Sequence, residues 1–238
     1  MRIYDHDRPP VRDVIFDLDG TLLDTARDIV ETLAASYLAA DLKRIAPPAL
    51  TPSMVGPPLA EMVGALTPGL SEVERDAVIA AFRRLYDAGD YPHTRPFPGV
   101  VEALAWLDGE GFRAFVATNK PRLPTERLLT RYGLTEHVWD IVSRDQLPAG
   151  ADSKAEMFRL LMDRWSLDAG VTLVVGDMPG DMQGASENGL RAAAAFYGYG
   201  KAADLAAFPH EVRLDRAGDL IEFLRAGAGR GPELAEKR

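Results

Sequence analysis

The sequence predicts an α/β fold: a parallel sheet covered by helices on both faces, with a smaller helical unit inserted after the first strand. Three observations carry this. From about residue 96 onward, short apolar runs alternate with stretches of helical period, the pattern of a parallel sheet. That alternation fails between Thr25 and Arg95, where helical stretches follow one another. The 238 residues are 47% apolar and 26% charged, enough to bury a core and too apolar for a disordered chain.

Each element has a local reason. Residues 1–10 are polar and end in Pro9-Pro10, a leader ahead of the fold. Val11 to Phe16 is apolar and β-branched, a short buried strand. Asp17-Leu18-Asp19-Gly20 suits the turn that stops it. A helix follows from about Thr25 to Ala40, with Ile29, Leu33, Ala34 and Tyr37 at helical spacing and Asp24 placed to cap it. Ala46 to Leu59 holds five prolines, which excludes regular helix and central strand. Helices over Ala60–Leu66 and Ser71–Ala88 come next, and Ser71 with Glu74 fits a capping box. Arg95 to Gly99 is a second break.

The alternating part then runs as follows. Val100–Asp108 is a helix and Arg113–Ala117 a strand. Pro124–Tyr132 is a helix capped by Thr118-Asn119 and ended by Gly133. Trp139–Val142 is a weak strand, and Lys154–Trp165 a helix with Ser153 as its cap. Val171–Val175 is a strand, Asp181–Asn188 a helix ended by Gly189, Arg191–Phe196 a strand and Ala217–Ala226 a helix. Trp106, Trp139 and Trp165 belong to the core or to an interface. The predicted division is a discontinuous core over 11–24 and 96–226 and a helical unit over 25–95. A leader over 1–10 and a fraying tail over 227–238 flank it.

Composition excludes several functions. Lys and Arg total 27 against 36 Asp and Glu, a net charge of −9 with His neutral. The isoelectric point lies near 5.0. No cation surplus exists to neutralise a phosphate backbone, which argues against general nucleic-acid binding. Without Cys there is no disulfide, thiolate metal site or thiol nucleophile. No apolar run approaches the ~20 residues of a membrane span. Met1 to Pro10 lacks the apolar core of a secretory signal, so the expected setting is the cytoplasm.

Ligands of open α/β sheets bind beyond the carboxyl ends of the strands. After the first strand come Asp17, Asp19, Gly20 and Thr21; after the second, Thr118, Asn119 and Lys120. After Val171–Val175 come Gly176, Asp177 and, four residues on, Asp181. Lys154 opens the helix behind Ser153. If these meet on one rim, four carboxylates would repel one another unless a cation held them. His6, His93, His137 and His210 show no metal spacing. Oxygen-only ligation selects a hard cation, and Mg²⁺ with substrate phosphate fits best. Gly198-Tyr199-Gly200-Lys201 lacks the flanking residues of a nucleotide-binding loop and reads as a tight turn.

The ordered set has a counterpart. Asp17-Leu18-Asp19-Gly20-Thr21-Leu22 resembles the first motif of the haloacid dehalogenase (HAD) superfamily. Thr118 in VATNK is similar to the second, Lys154 to the third, and Gly176-Asp177 with Asp181 to the fourth. The resemblance covers about Val11 to Leu224 and implies a Rossmann-like HAD core with a small α-helical cap. It implies that Asp17 attacks phosphorus and that Asp19 serves as general acid, then base. Asp17, the backbone carbonyl of Asp19, and Asp177 would hold Mg²⁺, with Asp181 supporting it. Gly20, Thr21, Thr118 and the amide of Asn119 would surround the phosphoryl group. Lys154 would neutralise it, with Lys120 as the substitute.

The second acid decides the reaction class. True dehalogenases of this superfamily expel halide, need no proton and lack an acid two residues after the nucleophile, so Asp19 points to phosphoryl transfer. Phosphonate-cleaving relatives use a Schiff-base lysine from the insert, where Lys43 is the sole lysine between Thr25 and Arg95. The third motif here lacks the proline that follows lysine in many relatives.

The expectation is therefore a Mg²⁺-dependent phosphatase acting on a small phosphorylated metabolite, as a monomer or homodimer. The cap segment Val55-Gly56-Pro57-Pro58-Leu59 resembles cap segments of phosphoglycolate and nucleotide phosphatase-like members, and Tyr197 to Gly200 is similar to a segment of phosphoglycolate phosphatase-like members; phosphoglycolate is the leading expectation by this resemblance. The alternatives are a pyrophosphatase or nucleoside-monophosphate phosphatase, and a silent binding protein that keeps the fold. A carboxylated substrate needs a cation in the cap; Lys43, Arg44 and Arg84 are the candidates. Hinges are expected near Asp24–Thr25 and Arg95–Gly99.

Overall fold

The computed structural model describes residues 9–42, 51–148 and 153–227. The expected leader and tail therefore lie almost wholly outside the described residues, as do Lys43, Arg44 and the first part of the proline-rich stretch.

Six parallel strands form the main sheet: β1 (Asp13–Phe16), β4 (Arg113–Thr118), β5 (Asp140–Ser143), β6 (Thr172–Gly176), β7 (Arg191–Ala195) and β8 (Val212–Leu214). Their order is β5-β4-β1-β6-β7-β8. The chain builds outward from β1 in both directions, so the strand order reverses there, the place where open sheets leave a crevice. In register, Phe16 lies opposite Val116 on one side and Val175 on the other. The carboxyl ends of β1, β4 and β6 therefore share one rim.

Alternation along the strands divides the core. Val14 and Phe16 join Val116, Leu104 and Leu220 on one face; Ile15 joins Phe115, Phe158 and Met182 on the other. Helices α4 (Val100–Gly109), α5 (Arg122–Arg131) and α9 (Asp219–Gly227) contribute to the first cluster. Helices α6 (Lys154–Trp165) and α7 (Pro179–Glu187) cover the second. Trp139 and Trp165 pack edge to face at 5.7 Å beside that cluster, and Trp106 packs against the first.

The insert leaves and rejoins the core through a two-stranded antiparallel ribbon, β2 (Leu23–Asp24) with β3 (Arg95–Pro96). Between them lie α1 (Ala26–Ala39), α2 (Leu59–Leu66) and α3 (Glu72–Ala88), which bury Leu33, Tyr37, Val63 and Val78 among themselves. Asp28 ties the two ends together. Its buried carboxylate accepts from the amides of His93 and Thr94 and from the Thr94 hydroxyl, the last two at 2.7 Å. Ser71 forms the expected capping box with Glu74, and Ser153, expected as a cap, forms a capping box with Glu156.

Some local readings are corrected. The strand β8 and the short helix α8 (Ala202–Ala206) were not expected, and neither was the β2–β3 ribbon. Three or fewer residues per strand give no period to detect. Asp24 does not cap α1; its Oδ1 accepts from the Tyr199 hydroxyl, which also accepts from the amides of Thr25 and Ala26. Thr118 and Asn119 do not cap α5, which starts three residues later behind Pro121.

Candidate active site

Asp17 leaves β1 with its amide bonded to the Val175 carbonyl of β6, which aims the side chain over the rim. Lys154, in the first turn of α6, reaches the same point. Its Nζ donates to Asp17 Oδ1 at 2.6 Å and to the Ala117 carbonyl at 2.9 Å, and lies 2.9 Å from Asp181 Oδ1. Asp181 sits in the first turn of α7, and its Oδ2 accepts from the Met178 amide. Asp177, just past β6, accepts from the Thr21 hydroxyl at 2.9 Å and the Tyr199 amide at 2.8 Å. Asp17, Asp177 and Asp181 each present an oxygen within 4.8 Å of the others, all buried.

Asp19 faces elsewhere. Its Oδ1 accepts from the Thr25 hydroxyl at 2.6 Å and pairs with Lys120 Nζ at 3.1 Å. Lys120 also donates to the hydroxyl of Tyr86 on α3 at 3.1 Å, and its Nζ stands 4.6 Å from that ring's centre. Both candidate lysines are thus at the rim, one per acid. Thr118 Oγ1 accepts from the Lys120 amide, and Asn119 Nδ2 donates to the Gly56 carbonyl of the insert at 3.0 Å.

Glycines allow the close packing. Gly20 has φ +92°, and a Cβ there would lie 2.3 Å from Asp177 Oδ2. A Cβ on Gly200 would lie 1.8 Å from the Asp177 carbonyl oxygen. The turn after β7 is therefore packed onto the carboxylate it supports.

Electrostatics shows a site short of positive charge. Burial and the neighbouring Asp181 and Asp177 push Asp17 up, against the pull of Lys154. Burial and Asp181 push Asp177 up to about 7, although Tyr199 and Thr21 bond its charged form. Burial works against the charge of Lys154, but Asp17 and Asp181 outweigh it and hold the ammonium above its ordinary value. Asp19 and Tyr86 do the same for Lys120. Asp181 Oδ1 is buried without a well-aligned hydrogen bond, despite its ion contact with Lys154. Three buried carboxylates beside a single ammonium, all oxygen donors, fit a hard divalent cation.

Two cavities flank the rim. One, of about 370 Å³, is lined by Asp17, Lys154 and Asp181. The other, of about 310 Å³, is lined by Asp19, Lys120 and Tyr86. Gly56, Pro57, Pro58 and Asn119 line both and form the wall between them. Arg84, a sequence candidate, is exposed and lines neither; its neighbour Arg83 lines the second. Sequence reasoning missed Tyr86, Tyr199 and Thr25. Tyr86 follows Val78 and Phe82 at helical spacing and reads as ordinary core.

Comparisons with known proteins agree with this geometry. Residues 14–195 match the family model described as haloacid dehalogenase-like hydrolase. A phosphoglycolate phosphatase of Photobacterium profundum is 28% identical over 224 residues, covering 90% of this chain and 96% of the relative. A 5'-nucleotidase of Pseudomonas aeruginosa is 30% identical over 196 residues, covering 82% and 86%. The crystal structure of a predicted phosphatase from Clostridium acetobutylicum superposes with a TM-score of 0.79 at 24% identity, covering 92% of this chain and all of that one. With the family's residues matched from β1 to the end of β7, the chain belongs to the haloacid dehalogenase-like hydrolases.

Proposed function

We propose that the protein is a Mg²⁺-dependent phosphatase that hydrolyses a small phosphomonoester through an aspartyl-phosphate on Asp17. The observation that carries this is the separation of the two acids. Asp17 lies with Lys154 and two further carboxylates, whereas Asp19 lies with Lys120 and Thr25 and lines the other cavity.

In the first half-reaction an Asp17 oxygen attacks phosphorus. The bond to the leaving oxygen breaks, and Asp19 gives that oxygen its proton. In the second, water attacks the same phosphorus, the Asp17–phosphorus bond breaks, and the water's proton passes to Asp19. One acid serves both steps because they move the proton in opposite directions. Lys154, held between Asp17 and Asp181, offsets negative charge on the transferring group. The Asn119 side chain is engaged with Gly56, which leaves its backbone amide, with Thr118, for the phosphoryl oxygens. Asp17, Asp177, Asp181 and the carbonyl of Asp19 would hold the cation, which shields Asp17 from an anionic substrate and stabilises charge as it moves. The insert α1–α3 would act as the cap, moving on the β2–β3 ribbon.

The names of the relatives support two substrates, phosphoglycolate and a nucleoside monophosphate. Asp17→Asn should leave folding and Mg²⁺ binding in place and reduce turnover of either to background. Fluoroberyllate with Mg²⁺ should inhibit the wild type by mimicking the phospho-aspartate. An Asp17→Asn enzyme of full activity would refute the assignment.

A further inference from the structure

The cavity beside Asp19 has a character that the reaction does not require. The leaving oxygen must lie within reach of Asp19, so the rest of the leaving group extends into the 310 Å³ space that Asp19 lines. Ile29, Val55, Met62, Phe82 and Tyr86 make much of its wall. Phe82 and Tyr86 are stacked, with ring centroids 5.1 Å apart and planes 11° from parallel. Tyr86 is buried, with the Lys120 ammonium also over its ring, and Phe82 is half-buried at the cavity.

Charge is balanced there. Arg83, Lys120 and Arg144 line the cavity, and so do Asp19, Asp87 and Asp145. Lys120 is already bonded to Asp19 and Tyr86. The cavity therefore holds no surplus cation to offset the desolvation of a second anionic group, which a carboxylated leaving group would carry. The volume lies within the range of pockets for small organic ligands and exceeds what a two-carbon acid needs.

We propose that this cavity selects phosphomonoesters whose leaving group is uncharged and carries a flat ring, with Phe82, backed by Tyr86, as its stacking wall, over small carboxylated esters such as phosphoglycolate. The proposal rests on the phosphatase reading above. It names the leaving-group class from the cavity wall.

The test compares kcat/KM, at saturating Mg²⁺, for a nucleoside 5'-monophosphate, ribose 5-phosphate, phosphoglycolate and acetyl phosphate. The first two share a primary alkoxide leaving group and differ by the ring. The nucleoside ester should exceed both ribose 5-phosphate and phosphoglycolate by about tenfold or more, the worth of one base–aromatic stack. Phe82→Ala should lower the ratio of nucleoside ester to phosphoglycolate by about tenfold, mainly through KM. Phe82→Arg, which adds a cation to the wall, should move the preference toward phosphoglycolate. Acetyl phosphate hydrolysis with phosphoglycolate preferred by the wild type, or equal losses on all esters in the Phe82 variants, would overturn the ring-selecting pocket and leave the phosphatase reading standing. No hydrolysis of any of the four would overturn both.

Discussion

Asp17 and Asp19 are two residues apart, yet each has its own ammonium. Lys154 comes to Asp17 from α6, and Lys120 comes to Asp19 from the end of β4. A single cation shared between two acids would tie their protonation together; in the proposed mechanism, separate partners would let one act as nucleophile and the other as proton carrier. Asp19→Asn should lower kcat for alkyl phosphate esters by about 10²–10⁴-fold, the usual worth of a general acid. With p-nitrophenyl phosphate, whose leaving group needs little protonation, a burst of nitrophenolate should survive in rapid mixing. Equal losses on both substrates would place Asp19 outside proton transfer. The five charged residues Asp17, Asp19, Lys154, Asp177 and Asp181 were legible in the sequence because each directly follows a strand or opens a helix. Tyr86 was not, since its relation to Lys120 spans 34 residues of sequence and depends on how α3 docks.

At the level of elements, the turn after β7 shows how backbone supports chemistry. Gly198 and Gly200 are pressed against Gly20 and Asp177, and the Tyr199 amide between them bonds the Asp177 carboxylate. Gly200→Ala forces the turn away from Asp177. It should reduce the Mg²⁺-induced rise in Tm and lower kcat/KM by at least about tenfold, because metal ligands held off position by small distances lose affinity on this scale. Gly109→Ala in α4 has nothing within 4 Å of the added methyl. It should be neutral or stabilising by up to about 1 kcal/mol. Thermal melts of both variants with and without Mg²⁺ separate a local effect on the site from a general packing effect. The same turn read from sequence as simple punctuation, since glycine spacing says where a chain bends and not what it presses against.

For the molecule as a whole, the edge of the sheet beyond β4 is tied to α6 through Asp140. Its carboxylate accepts from Arg164 at 2.6 Å and from Trp165 Nε1 at 2.9 Å. Partial burial opposes ionisation, but the bonds from Trp165, Arg164 and the Ile141 amide outweigh it and hold the group below the usual carboxylate range. A depressed carboxylate contributes stability above its unfolded pKa of about 4 and loses it as pH falls through the folded value. Asp140→Asn should therefore unfold at lower urea than the wild type at pH 7, and the two midpoints should draw together as pH falls below about 4. A gap that stayed constant with pH would assign the effect to shape and not to charge. No described helix is long and apolar enough to cross a membrane. Across the molecule, contacts between insert and core include the β2–β3 ribbon, the Lys120–Tyr86 bond and the Asn119–Gly56 bond, whose residues line both cavities.

Periodicity along the chain was enough to establish five of the six strands of the parallel sheet and the helical insert, and the strand ends then marked the row of acids. These are local properties: alternation marks a strand, and a polar residue just past it must emerge at the rim. The docked structure alone decided which lysine serves which acid, that Tyr199 binds Asp24 and supports Asp177, and that the pocket wall is aromatic. Each of those joins segments far apart in sequence, and no spacing rule connects residues that meet only when a helix is laid over a sheet.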